Sequence, residues 1–164
     1  MALVVEDGTG LATAESYISV ADADAHHTAM GNDDWTGTEA AKEAALRRAT
    51  AYMEQAYRTR WKGTKLLRSQ ALSWPRYGAE ADGYVLESTI VPADVATACA
   101  DLALRALTAD LNADLTRAVI REKVGPLETE YSPHSSEAVR YRGVDMALAP
   151  YLKGSGAMAL LVRA

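Results

Sequence analysis

The side chains able to do chemistry are few, and their spacing is poor for it. Asp22 and Asp24 lie two apart, so a helix would not place them on one face. Asp33-Asp34 follows Gly31-Asn32 and reads as a solvated turn pair. His26 and His27 are adjacent and point different ways on a helix, and His134 falls in a polar loop. Neither a His-x3-His nor a Cys-x2-Cys spacing occurs, so zinc has no evident ligand set. Cys99 is the single cysteine, which excludes an intrachain disulfide. It has no base beside it and sits in an apolar stripe, as a small core residue does. Gly8-Thr9-Gly10 is too short for a phosphate loop and lacks the following Lys-Ser/Thr. These residues predict no enzyme, no metal and no cofactor.

One span invites a binding function. Tyr57-Arg58-Thr59-Arg60-Trp61-Lys62-Gly63-Thr64-Lys65-Leu66-Leu67-Arg68 alternates cations with aromatic rings. Single-strand binders use such mixtures, with cations tracking phosphates and rings stacking on bases. This gives Arg58, Arg60, Trp61, Lys62, Lys65 and Arg68 as candidate nucleic-acid contacts. A helix end favours bases in any case, and Trp61 suits a core anchor equally well.

Charge bears on the choice. The 164 residues carry a net charge of −5, unlike a dedicated nucleic-acid binder with a basic surface. The charge is polarised. Residues 1–46 hold nine acids and one base, whereas residues 47–76 hold eight bases and only Glu54 as an acid. Such halves can pack acid against base between copies, or match within one chain. Eight Tyr and three Trp carry the whole aromatic load, since Phe is absent. Tyr and Trp suit interfaces as well as half-buried core positions.

The elements that must hold these residues read as mainly α: a small bundle of about four helices, with a β-hairpin and extended N- and C-terminal arms. Residues 1–153 form one helical domain, and 154–164 a C-terminal arm. Residues 1–14 read as an extended arm and turn. Ser19, with Asp22 three residues on, caps a helix from Val20 to about Met30, ended by Gly31-Asn32. Thr36 and Glu39 have capping-box spacing for a second helix to about Arg58. Its stripe is Ala41, Ala45, Ala49, Met53 and Ala56, with Tyr52 and Tyr57 beside it. Residues 59–90 are irregular, broken by Gly63, Pro75, Gly78 and Gly83. There, Trp74 before Pro75 reads as an extended aromatic anchor.

Pro92 opens a third helix, running to about Leu111 and apolar nearly all round, hence central. Partial alternation about Gly125-Pro126 predicts a hairpin over 116–132. A last helix is expected over Gly143 to Lys153, with Pro150 working against it. The tail after Gly154-Ser155-Gly156 is apolar, which suits docking on a partner. No run of residues is long and apolar enough for a membrane span, and the N-terminus lacks the features of a signal peptide, so the cytoplasm is the expected place of synthesis.

Two stretches carry a resemblance. One is Val4-Val5-Glu6-Asp7-Gly8-Thr9-Gly10-Leu11 onward through Ala25. The other is Gln70-Ala71-Leu72-Ser73-Trp74-Pro75-Arg76. Both resemble a family of small tailed-phage proteins often labelled DnaT-like single-stranded DNA-binding. In order of elements, these also resemble head–tail connector (adaptor) proteins. The second resemblance implies a ring-forming virion neck subunit between capsid and tail, made in the host cytoplasm. Its partners would be itself, commonly in twelve copies, the portal protein, and a downstream neck or tail protein. Genomic DNA would pass through the channel without specific binding. On this expectation Arg47, Arg48, Arg58 and Arg60 face acids of a neighbouring copy. Val119, Ile120 and Tyr131 of the hairpin and Met158, Leu160, Leu161 and Val162 of the tail meet partners. A single-stranded DNA-binding accessory role is the alternative.

Overall fold

The computed structural model describes residues 2–113, 119–123, 128–131 and 140–154. Of the two short segments between 119 and 131 it describes the backbone alone. The expected tail contacts Met158, Leu160, Leu161 and Val162 lie outside the described residues, as does His134.

Four helices form a mainly helical small domain. Helix α1 spans Val20–Met30, as its signals predict. The Ser19 hydroxyl accepts from the Asp22 N–H at 3.0 Å, and Gly31 closes the helix at φ 69°. Helix α2 spans Glu39–Tyr57. Its cap is Thr38 rather than Thr36: the Thr38 Oγ1 accepts from Ala41 N–H at 3.3 Å, which puts Glu39 at the first helical position. Helix α3 spans Ala93–Ala106, several residues shorter than expected. Leu107 and Leu111 still turn inward, Leu111 fully buried, but from a turn that ends the helix. Helix α4 spans Arg142–Leu148 and tightens into a 3-10 turn at Ala149–Tyr151. Pro150 accounts for the change, since it has no N–H for an α-helical bond.

Helix α3 is central. Its Val95, Ala98, Cys99, Leu102 and Ala103 are buried against Ala45, Leu46, Ala49 and Met53 of α2, and α1 and α4 pack on it as well. The small residues let the helix backbones approach closely. Cys99 is wholly buried, its Sγ 3.3 Å from Thr50 Oγ1, and burial pushes its thiol pKa up.

The strands are short antiparallel pairs. Strands β1 (Thr64–Lys65) and β2 (Arg76–Tyr77) form one; β3 (Glu80–Ala81) and β4 (Tyr84–Val85) form another, in the stretch read as irregular. Strands β5 (Val119–Lys123) and β6 (Glu128–Tyr131) pair antiparallel where the hairpin was expected, and Val119, Ile120 and Tyr131 lie on them.

The two motif stretches are structural. Val5 bridges Ser16, and the buried Glu6 carboxylate accepts from the N–H groups of Gly8, Gly10 and Leu11 at 2.8–3.0 Å. The glycine turn is therefore filled by an internal anion. Gly8 has φ 96°, and a Cβ there would lie 2.0 Å from the Thr89 carbonyl oxygen, so only glycine fits. In the second stretch, Glu54 of α2 accepts from Ser73 N–H at 2.9 Å, from Ser73 Oγ at 2.7 Å and from the Tyr17 hydroxyl. Arg76 is buried and donates to the carbonyls of Lys62, Gly63 and Ser73 at 2.6–3.0 Å. Trp74 is fully buried and joined to Pro75 by a cis peptide.

Candidate functional site

An aromatic spine links that loop to the surface. Tyr151, Trp74, Trp61, Tyr57, Tyr52 and Tyr141 follow one another with ring centroids 5.2–6.5 Å apart, most of them edge to face. Such pairs hold rings in fixed relative orientation beyond their burial alone. Cations close one end: the Arg60 guanidinium carbon lies 5.8 Å from the Tyr57 centroid, and that of Arg105 lies 5.5 Å from the Tyr141 centroid.

At this end the end of α2 and the start of α4 enclose a cleft of about 530 Å³, lined by Tyr52, Ala56, Tyr57, Arg60, Arg140 and Asp145. Tyr57 is buried and backs the cleft, while Tyr52 is only partly buried; the buried Tyr141 packs edge to face on Tyr52. The Tyr57 hydroxyl donates to Asp145 Oδ1 at 2.7 Å. Burial and this bond hold the Tyr57 pKa far above the usual phenol range, so the hydroxyl remains a donor. Arg60 Nε is buried and has no partner, and Arg140 is exposed with no ion pair among the described residues. A guanidinium without an ion pair beside a partly exposed ring suits a phosphate and a base.

The residues singled out from sequence are dispersed. Arg60 lines the cleft, and Arg58, at the end of α2, is exposed, as is Arg68. Trp61 is 1% exposed and cannot stack on a base where it stands; it is a core anchor. The ammonium groups of Lys62 and Lys65 donate to the carbonyls of Pro150, at 2.7 Å, and of Gln70 and Ala71, at 3.3 and 3.4 Å. Arg47 bonds Glu15 and Glu43 of its own chain at 3.0–3.3 Å, an acid–base match inside one molecule, while Arg48 is exposed on α2. The reading missed Arg105, Arg140, Tyr141 and Asp145, which lie far from α2 in sequence and join it only by packing. Tyr77 and Tyr84, exposed rings on β2 and β4, were also not singled out.

Two other places compete poorly. A groove of about 800 Å³ carries Asp33, Asp34 and Asp101 against the single cation Arg105, a balance that disfavours a phosphate. The ligand atoms of His26, His27 and Asp101 lie within 4.8 Å of one another. However, His27 already uses both ring nitrogens, Nε2 toward the Ala100 carbonyl at 3.1 Å and Nδ1 toward the Asn32 amide at 3.0 Å. That leaves two ligands, too few for a metal site.

A family model described as "Putative DnaT-like ssDNA binding protein" matches residues 1–164. The chain belongs to this DnaT-like family. No curated protein and no solved structure matches it. The whole-length match corrects the expectation of a neck subunit. What it matches is described by single-stranded DNA binding, and nothing in the comparisons points to a connector, a portal partner or a virion. The same finding overturns the expectation that DNA passes without being bound. The order of elements that suggested a connector is a weak discriminator, because short helices with a hairpin serve many functions.

Proposed function

We propose that this protein binds single-stranded DNA, as a non-enzymatic accessory factor, through the cleft between α2 and α4. The observation that carries the reading is the pair Arg60 and Arg140, neither with an ion pair among the described residues, lining one cleft with the partly buried ring of Tyr52. Phosphates meet the guanidinium groups and a base meets the ring. Family membership supports the same reading.

The net negative charge is compatible with it. Acids gather in residues 1–46, where Asp24 and Glu15 are matched by Lys42 and Arg47, while the cleft sets Arg60 and Arg140 against one acid, Asp145. Local rather than net charge sets the potential a strand meets.

The test is fluorescence anisotropy with a labelled oligothymidylate and a duplex of equal length, over a salt series. Binding should prefer the single strand, weaken steeply with salt, and fall in Arg140→Ala and Tyr52→Ala. No binding at low salt, or equal affinity in both variants, sinks the proposal.

A further inference from the structure

We infer that the cleft reads one base of the bound strand, with Asp145 as the residue that selects guanine. This rests on the single-strand reading above and deepens it.

Asp145 sits in the first turn of α4, on the wall of the cleft. Its Oδ1 is held by the Tyr57 hydroxyl, which orients the carboxylate, while Oδ2 has no partner among the described residues. An ionised carboxylate only accepts hydrogen bonds, so it discriminates by the donors a base presents. Guanine offers two adjacent donors, N1–H and the N2 amine, which two carboxylate oxygens can accept together. Thymine has one N3–H set between two carbonyls, which repel an anion. Cytosine and adenine each place their amine beside an acceptor ring nitrogen. Guanine alone matches a carboxylate without a facing lone pair.

The surroundings fit a nucleotide rather than a free base. Arg60 and Arg140 flank the same cleft, so one carboxylate is outnumbered by two cations where a phosphate must sit. The partly buried Tyr52 lines the same cleft as Asp145 and supplies the aromatic surface there. Glu54, whose carboxylate is taken up by Ser73 and Tyr17, does not line the cleft, and neither does Asp110. Among the described residues the carboxylate there is therefore a single one, oriented by Tyr57.

The experiment uses two labelled oligothymidylates of equal length, one carrying a single internal guanosine, with the full-length protein. Wild type should bind the guanosine-containing strand about tenfold more tightly, the value of one good charge-assisted contact. In Asp145→Asn the amide can still accept from Tyr57 but now also donates, so the preference should vanish or turn toward thymine. If Asp145→Asn melts below the assay temperature, Tyr57→Phe carries the test: it keeps the ring and releases the carboxylate, and should lower the preference. Equal affinity of wild type for both strands, with binding still sensitive to Arg140→Ala, overturns the guanine assignment and leaves the binding reading standing. No binding to either strand removes both.

Discussion

The guanidinium of Arg60 lies over the ring of Tyr57, its carbon 5.8 Å from the centroid, with Nε buried and donating to nothing. That nitrogen is closed to solvent and to a phosphate alike, so a contact with the strand falls to the rest of the guanidinium of this partly exposed residue. Arg60→Ala should then weaken single-strand binding about tenfold at low salt and reduce the slope of log affinity against log salt by about 0.7. Arg60→Lys should restore the slope but only part of the affinity, because an ammonium lacks the planar face that stacks on Tyr57. Titrations at several salt concentrations measure both. An unchanged slope in Arg60→Ala would mean that this group meets no phosphate.

Trp61 makes the opposite case. Its ring is 1% exposed, held between Tyr57, tilted to it, and Trp74, edge to face with it, and its backbone bridges Leu152 beyond α4. Trp61→Ala removes the middle of the spine and should cost about 3–5 kcal/mol of stability. Affinity per folded molecule should change little. Urea denaturation and an anisotropy titration in the same buffer separate the two effects. A stable variant that no longer binds would show that the ring swings out to meet a base.

The contrast between these neighbours shows where sequence reading stops. The alternation of Arg58, Arg60, Trp61 and Lys62 identified a region but not which side chains face outward, because α2 ends at Tyr57 and helical spacing no longer applies. Helix α1 was legible to the residue, since Ser19 and Gly31 are strong local signals at both ends. Helix α3 was drawn too long because Leu107 and Leu111 continue the apolar pattern, and a turn can bury leucine as well as a helix can. The cleft itself was invisible. Tyr52 and Tyr57 were seen beside the stripe of α2, but Arg140, Tyr141 and Asp145 stand more than eighty residues later, and only packing of α3 and α4 brings them together. Trp74, read as an aromatic anchor from its place before Pro75, is indeed fully buried. The role of residues 70–76, bracing the spine through Trp74, needed the contacts of Glu54 and Arg76.

Gly63 offers a test of that brace. It has φ 67°, its carbonyl accepts from Arg76 at 2.7 Å, and a Cβ would lie 2.5 Å from the Tyr77 carbonyl oxygen and 2.7 Å from the Ala79 nitrogen. Both obstacles are backbone, so neither can rotate away. Gly63→Ala should destabilise by at least about 2 kcal/mol, well beyond an ordinary surface change. Gly78→Ala is the comparison: φ is 64°, but no atom lies within 4 Å of the added carbon, so it carries the conformational cost of about 1 kcal/mol without the collision. Equal losses in thermal melts would mean that the strand β2 region yields.

His27 predicts a dependence on pH. It is 1% exposed, with Nε2 donating to the Ala100 carbonyl and Nδ1 accepting from Asn32, so the fold holds the neutral ring. Burial is the main cause, and it lowers the pKa below the usual 6.5, with His26 adding repulsion while Asp101 and Asp24 oppose the shift. A folded pKa below the unfolded one means that the unfolded chain binds more protons. The contribution of His27 is therefore complete above about pH 6.5 and declines as the pH falls below it, by less than about 1.4 kcal/mol per unit. His27→Gln keeps an amide donor near the Ala100 carbonyl and removes the titration. Urea midpoints at pH 7.5 and pH 5.5 should converge in this variant relative to wild type. A wild-type midpoint that rises on acidification, or a variant with the same difference as wild type, would show that the pH response comes from other groups.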